Sequence, residues 1–210
     1  MPHEAVRWRA LPEVFGKWTG VYTRFSRWAH RGALDALFEV VAGAHQRGKL
    51  RKPDASHIKV HQDANVAGSA SQAVGMTRGG RNTKLHAVVD AGGHAVKLAL
   101  TPAQDHDSTH ALEMGADLLP VETLVADKAY GTDAIRAHFS ARGVGLCIPA
   151  KSNRKRPAKH HAGHYKKRHK VENFFQSAKR CRRIGTRYEK TKTMFAASIT
   201  LFPTMDYFLH

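Results

Sequence analysis

Apolar residues recur at threes and fours along the first part of the chain. Trp8, Leu11, Phe15, Trp18, Val21, Tyr22, Phe25 and Trp28 follow that spacing, and "RGALDALFEVVAGA" carries it to about Ala44. A period near 3.6 predicts a helical region over residues 1–48, with the aromatic stripe as its core. The period changes after "HQRGKLRKP". "ASHIKVHQ" alternates as a strand does, and "ANVAGSASQAVGMTRGGRN" is small and Gly/Ser-rich as a loop is. "TKLHAVVD" and "HAVKLALT" flank "AGG" as the arms of a β-hairpin. "DSTHALEMGADLL" reads as a helix capped by Asp107 or Ser108, "VETLVA" as a short buried strand, and "TDAIRAHFSARG" as an amphipathic helix ended by Gly143. "VGLCIP" is another strand, "AKSNRKRPAKHHAGH" an exposed basic loop, and a long basic helix follows from about Tyr165. Three strands, helix, strand, helix, strand, helix predict a mixed α/β sheet over residues 49–210, flanked by covering helices.

Length and charge narrow the partners. At 210 residues the chain can bury one sizeable core. Thirty-four Lys and Arg against 17 Asp and Glu give a net charge of +17, a field that draws nucleic acid or an anionic membrane surface. The membrane reading is weak, because the apolar run "MFAASITLF" stops at Pro203, far short of a span. No charged-then-apolar leader opens the chain, and Cys147 and Cys181 lack metal-site or redox spacing. They suit free thiols in a reducing cytosol. Nucleic acid is the expected partner and the cytoplasm the expected place.

The basic helix contains an anomaly. Sixteen Lys and Arg lie between Lys151 and Lys192 against two acids, and Glu172 is the acid placed inside the helical pattern. At about 100° per residue, Tyr165, Arg168, Glu172 and Lys179 share one stripe, beside an apolar sector of Val171, Phe174, Phe175, Ala178 and Cys181. Glu172 either neutralises Arg168 one turn away or holds a cation of another kind. Asp127 follows "VETLVA" directly, at the C-terminal end of a strand, where ligand-binding groups gather in α/β sheets; capping the next turn is its other reading. Asp54 opens the first strand. Three carboxylates on two strands and a helix could converge on Mg²⁺ or Mn²⁺, and two such ions about 4 Å apart clamp both oxygens of a phosphodiester displacement.

These segments resemble a known family. The spacing Tyr-x2-Arg-x3-Glu-x6-Lys, met by Tyr165, Arg168, Glu172 and Lys179, is similar to the third motif of bacterial insertion-sequence DDE transposases, whose catalytic domain is ribonuclease-H-like. "VADKAYG" resembles the second motif, "DASHIKVHQ" the first, and "GMTRGGRNTKLHAVVDAGGHAVKLALTPAQDHD" the connecting hairpin. The resemblance implies that Asp54, Asp127 and Glu172 are the catalytic, metal-binding triad with two divalent ions, Mg or Mn. It implies that Tyr165, Arg168 and Lys179 contact DNA beside the cut.

Arg180, Arg183, Arg187 and Lys190 continue that basic segment, and Arg78, Arg81, Lys84 and Lys128 are the further DNA-binding candidates. Related chains usually begin about a helix before "VRWRALPEVFGKW", so the N-terminal region is expected to be truncated, with element ends as its DNA target. The implied activity is metal-dependent cleavage and strand transfer at the ends of an insertion sequence. The implied partners are double-stranded DNA, at inverted-repeat ends and target, and further copies of the chain as a homodimer or multimer. A catalytically inactive relic that only binds DNA is the alternative, and a host nuclease of the same fold a third. "HHAGH" is taken as a basic loop rather than a zinc site, and "TRGGRN" as too incomplete for a nucleotide loop.

Overall fold

The computed structural model describes residues 7–64, 71–116, 121–150 and 162–209. Two helices come first, α1 (Trp18–His30) and α2 (Ala33–His45). They are joined at Gly32, whose φ of 67° is a left-handed conformation that glycine adopts without strain. The sheet strands are β1 (Leu50–Val60), β2 (Gly75–Thr77), β3 (Gly80–Val89), β4 (Ala95–Pro102), β5 (Thr123–Val125), β6 (Gly145–Cys147) and β7 (Thr186–Arg187). Six more helices intervene: α3 (Asp107–Ala116), α4 (Asp133–Ser140), α5 (Ala162–Lys166), α6 (His169–Arg180), α7 (Arg182–Gly185) and α8 (Lys192–Leu209).

β1 is the spine of the sheet. β3 pairs antiparallel along most of it, β4 and β2 pair antiparallel with β3, and β5 and then β6 add in parallel on the other side. A central strand with an antiparallel half and a parallel half, clothed by helices on both faces, is the ribonuclease-H-like mixed sheet. One face is covered by α2, α6 and α8, whose Phe38, Val171, Phe175, Phe195 and Ile199 share a core with Ile58, Leu85 and Val89. The other is covered by α3 and α4 through Met114, Ile135 and Phe139 against Val88, Leu124 and Ile148. Packing is therefore continuous across residue 48, because Phe38, Val41 and Ala42 of α2 belong to the same core as the strands.

Several elements differ from the sequence reading. β1 begins at Leu50, not Ala55, so Asp54 lies mid-strand. The run "LRKP" hid the start, since a charged segment ordinarily faces water. Here Lys52 is fully buried and donates to the Asp90 carbonyl at 2.5 Å, while Arg51 reaches Gly48 O and Gln46 Oε1. The end of the glycine-rich stretch is not loop but β2 and the turn into β3. The long basic helix is broken. Arg168 lies in a turn between α5 and α6, and tightened i to i−3 bonds from Lys170 and Val171 rewind the chain.

Pro203, read as a stop, lies inside α8. It removes one N–H donor, but this helix is packed against α2, α1 and β4, and tertiary packing outweighs the lost bond. Gly143 does end α4, with φ 71° and the Val144 N–H returning to Phe139 O. Both cysteines are buried, and neither forms a disulfide among the described residues. Of "HHAGH", the first two histidines lie outside the described residues and the rest opens α5.

Candidate active site

The parallel register places two acids side by side. Leu50 pairs with Thr123 and Arg51 with Leu124; extending that register by three residues brings Asp54 level with Asp127. β5 ends at Val125, and the chain turns away into a 3-10 turn over Lys128–Tyr130, while β1 runs on to Val60. Asp127 caps that turn by accepting from the Ala129 N–H at 2.7 Å. The capping reading is met, and it leaves the second carboxylate oxygen for other use.

Alternation along β1 turns Asp54, Ser56 and Ile58 to the face covered by α6. The break before α6 puts the Arg168 side chain over that face. Its Nη1 donates to Asp54 Oδ2 at 2.9 Å, and its Nη2 makes a short contact with Glu172 Oε1. The ion pair expected within the helix is thus present, but the same guanidinium also spans to β1. Lys179 is two turns on, and its ammonium donates to Ser56 Oγ at 2.6 Å.

Electrostatics mark the surroundings of these acids as charged and partly dry. Burial pushes the Asp54 carboxyl upward and the charge of Asp127 adds to this, against the Ala55 N–H and Arg168. Burial opposes the charge of Arg168, but Asp54 and Glu172 more than offset it, so its pKa is raised. Tyr130 is buried and its hydroxyl is pushed up, first by burial, then by Asp107, Asp54 and Asp127. Partial desolvation lowers the Lys179 ammonium.

Among the described residues, no three His, Cys, Asp or Glu side chains close on one metal-sized point. The donor set nevertheless fits a hard divalent ion: carboxylate oxygens only, with a cation already held between Asp54 and Glu172.

The DNA candidates separate into two groups. Lys179, Arg180 and Lys190 are exposed, as are Lys128 beside Asp127 and Arg78 and Arg81 at the β2–β3 turn, while Tyr165 is half-buried on α5. Three others face inward. Arg187 is fully buried and donates to Gln72 O, Thr83 Oγ1 and Glu189 O, with Phe195 beneath it at 5.1 Å. Lys84 is buried in an ion pair with Asp107 at 2.7 Å. Arg183 is bound to Glu189 and lies over Trp8. The expectation that Arg187 meets DNA is corrected, since its side chain is fully buried, and Lys84, nearly buried, is already engaged by Asp107 and the Asp105 carbonyl. Ser56 and Tyr130 escaped the sequence reading, although Ser56 follows Asp54 at strand spacing and so shares its face.

Residues 53–203 match the model of the family described as "Transposase DDE domain". The chain belongs to the DDE-domain transposases. Residues 2–38 of this transposase match a second model, "Putative transposase of IS4/5 family". A Brucella ovis protein named "Putative transposase for insertion sequence element IS6501" is 39% identical over 121 residues, 57% of this chain and 92% of that one. Among solved structures, the Mos1 mariner paired-end complex with Mn aligns over 97% of this chain and 72% of its own, at 11% identity and a TM-score of 0.35. The catalytic domain of the Mos1 mariner transposase aligns over 84% and 89%, at 10% and 0.34. The architecture rests on this transposase's own strand order. No described helix is long and apolar enough to cross a membrane.

Proposed function

We propose that this transposase cuts DNA at the ends of an insertion sequence and joins the freed ends to target DNA. In this reading Asp54, Asp127 and Glu172 are the catalytic triad and hold two divalent ions, Mg²⁺ or Mn²⁺. The observation that carries it is the guanidinium of Arg168 held between Asp54 and Glu172, beside Asp127: the acids already gather around positive charge. The ions, when bound, polarise the phosphodiester and ionise the attacking water or 3′-hydroxyl.

The chain's own part is placement. Asp54 and Asp127 are fixed by the sheet and a capped turn, and Glu172 by a helix whose next residues are core. Arg168 passes from the carboxylates to the phosphate beside the cut, where its planar fork takes two oxygens. Lys179, anchored on Ser56, braces the same backbone, and Tyr165 flanks it. Lys128, Arg180, Lys190, Arg78 and Arg81 extend the phosphate track over the exposed surface. The working form is a homodimer or multimer on double-stranded DNA in the cytoplasm, at the nucleoid.

Glu172→Gln is expected to abolish Mg²⁺-dependent nicking of an end-bearing duplex while leaving duplex binding intact or tighter, since it removes a negative charge from a phosphate-facing site. Nicking that survives the substitution sinks the assignment. The second reading, a DNA-binding relic, is favoured by one observation: the three acids do not close on one point among the described residues. A parent protein that binds duplex but never nicks with Mg²⁺ or Mn²⁺ decides for it.

A further inference from the structure

Both oxygens of Asp54 are engaged by the chain itself. Oδ1 accepts from the Ala55 N–H at 2.9 Å, and Oδ2 accepts from Arg168 Nη1 at 2.9 Å. The other arm of the same guanidinium holds Glu172 Oε1. One planar cation therefore occupies carboxylate oxygens that the proposed function assigns to metal. A divalent ion placed between Asp54 and Glu172 would meet that positive charge at contact distance, where repulsion in a partly dry site is strong. Among the described residues the three acids do not close on one metal-sized point, and the guanidinium stands between two of them.

This contact can open while the frame around it stays fixed. Asp54 lies within β1, paired with Ala87 of β3. α6 is pinned on two sides. Val171 and Phe175 enter the core, and Lys170 Nζ donates to the Ala91 carbonyl at 2.9 Å and the Gly92 carbonyl at 3.2 Å, at the tip of the β3–β4 hairpin. Arg168 lies in the turn before α6, so its side chain can swing on its own torsions. The Arg168 and Asp54 side chains are 21% and 19% exposed and that of Glu172 is 45% exposed, so an anion reaches the bridge from the Glu172 side. Lys179, exposed and tied to Ser56 on the same face of β1, stands beside it as a second cation. A phosphodiester presents two oxygens to the planar fork, as the two carboxylates do.

We infer that Arg168 gates the divalent ions: in the free chain its guanidinium takes the place of metal between Asp54 and Glu172, and DNA phosphate draws it out. The inference rests on reading Asp54, Asp127 and Glu172 as metal ligands, and it adds a regulation of that site. The exchange leaves every charge with a partner. A guanidinium bound to two carboxylates becomes a guanidinium bound to phosphate, and the freed carboxylates take the ion. DNA and metal then favour each other by one coupling factor, so duplex tightens metal as much as metal tightens duplex. Away from DNA the acids stay closed on Arg168, and the chain carries no assembled active centre.

The test follows Mn²⁺ binding to the full chain through the electron paramagnetic signal of the free ion. Without DNA, Arg168→Gln is expected to bind Mn²⁺ about tenfold or more tightly than the parent, a coupling of ordinary size. An end-bearing duplex is expected to tighten Mn²⁺ on the parent by the same factor, with Glu172→Gln plus duplex subtracted as background. Arg168→Gln should gain nothing further from duplex. Melting gives a second readout: without DNA, Mn²⁺ should raise the melting temperature of Arg168→Gln more than that of the parent. The parent with and without duplex needs no substitution at Arg168, so it decides even where Arg168→Gln folds poorly. Equal Mn²⁺ affinity in parent and Arg168→Gln without DNA overturns the gate, and so does a parent affinity that duplex leaves unchanged. Both outcomes leave the metal-ligand reading standing. Mn²⁺ binding no better than the Glu172→Gln background in every sample removes that reading itself.

Discussion

Arg168 and Arg187 belong to one basic segment, yet the fold places them in opposite surroundings. Arg187 is sealed beneath the sheet edge among neutral acceptors, and the carbonyls of Gln72 and Glu189, the Thr83 hydroxyl and the Phe195 ring hold β7, β3 and α8 together around it. Burial lowers its pKa to about 10, with only Glu189 raising it. Arg168 is half-buried between two carboxylates, and its pKa is raised. One guanidinium completes the fold and can bind nothing else. The other satisfies two acids that have a second use under the proposed function, in which phosphate draws it away. Counting cations thus overstates the DNA footprint of this chain; what separates these two arginines is whether the acceptors are neutral or carboxylate.

The largest effect that tests this contrast is on stability at Arg187. Arg187→Ala leaves three buried acceptors, Gln72 O, Thr83 Oγ1 and Glu189 O, without their donor, at a cost of about 3–5 kcal/mol. A melting temperature lower by about 10 °C is expected for a chain of this size. A variant that melts like the parent would break the contrast by freeing Arg187 for another role.

Acid should act next, through a second buried polar group. His86 is buried on the α3 side of the sheet, against Thr101, His110, Lys84, Asp105 and Asp107. Burial lowers its pKa from 6.5 to about 4, so the folded state keeps it neutral where the unfolded chain takes up a proton. Stability is therefore full above pH 6.5 and is lost as pH falls from about 6.5 towards 4, by at most about 3 kcal/mol. Chemical denaturation across that window should show the loss, and His86→Gln should flatten it.

Arg168→Ala is expected to do least to folding and most to chemistry. Stability should change by under about 1 kcal/mol, as for a partly exposed pair. Mg²⁺-dependent nicking should fall on the order of a hundredfold, the scale of a misplaced reacting group. Arg168→Lys should recover part of it, lacking the bidentate fork. Melting curves and nicking rates taken side by side distinguish a positioning role from a structural one; parental rates in Arg168→Ala would place Arg168 with Arg187.

The hairpin of β3 and β4, the amphipathic α4 with its glycine end and the spacing of the third motif were all legible, because local periodicity and turn chemistry carry them. What escaped depended on partners distant in sequence. Lys52 and Arg51 look like surface residues until Asp90 and Gln46 come to meet them. α8 looks interrupted at Pro203 until the layers that pack on it are known. For the site, motif spacing marked Asp54, Asp127 and Glu172 as candidates. That Arg168 reaches Asp54 across 114 positions could not be read from a helical wheel, and the wheel itself assumed a helix that breaks at that residue.

α8 also sets an order of events during synthesis. The apolar side of α1 and Leu34 of α2 rest on Met194, Ala197 and Leu201, residues translated after every strand of the sheet. The first helix made is thus among the last to find its seat. A nascent chain on the ribosome can pair its early strands while α1 waits, with Phe25 and Ala29 uncovered. Arg24 and Arg27 are presented in their final orientation only after the α8 segment has left the exit tunnel.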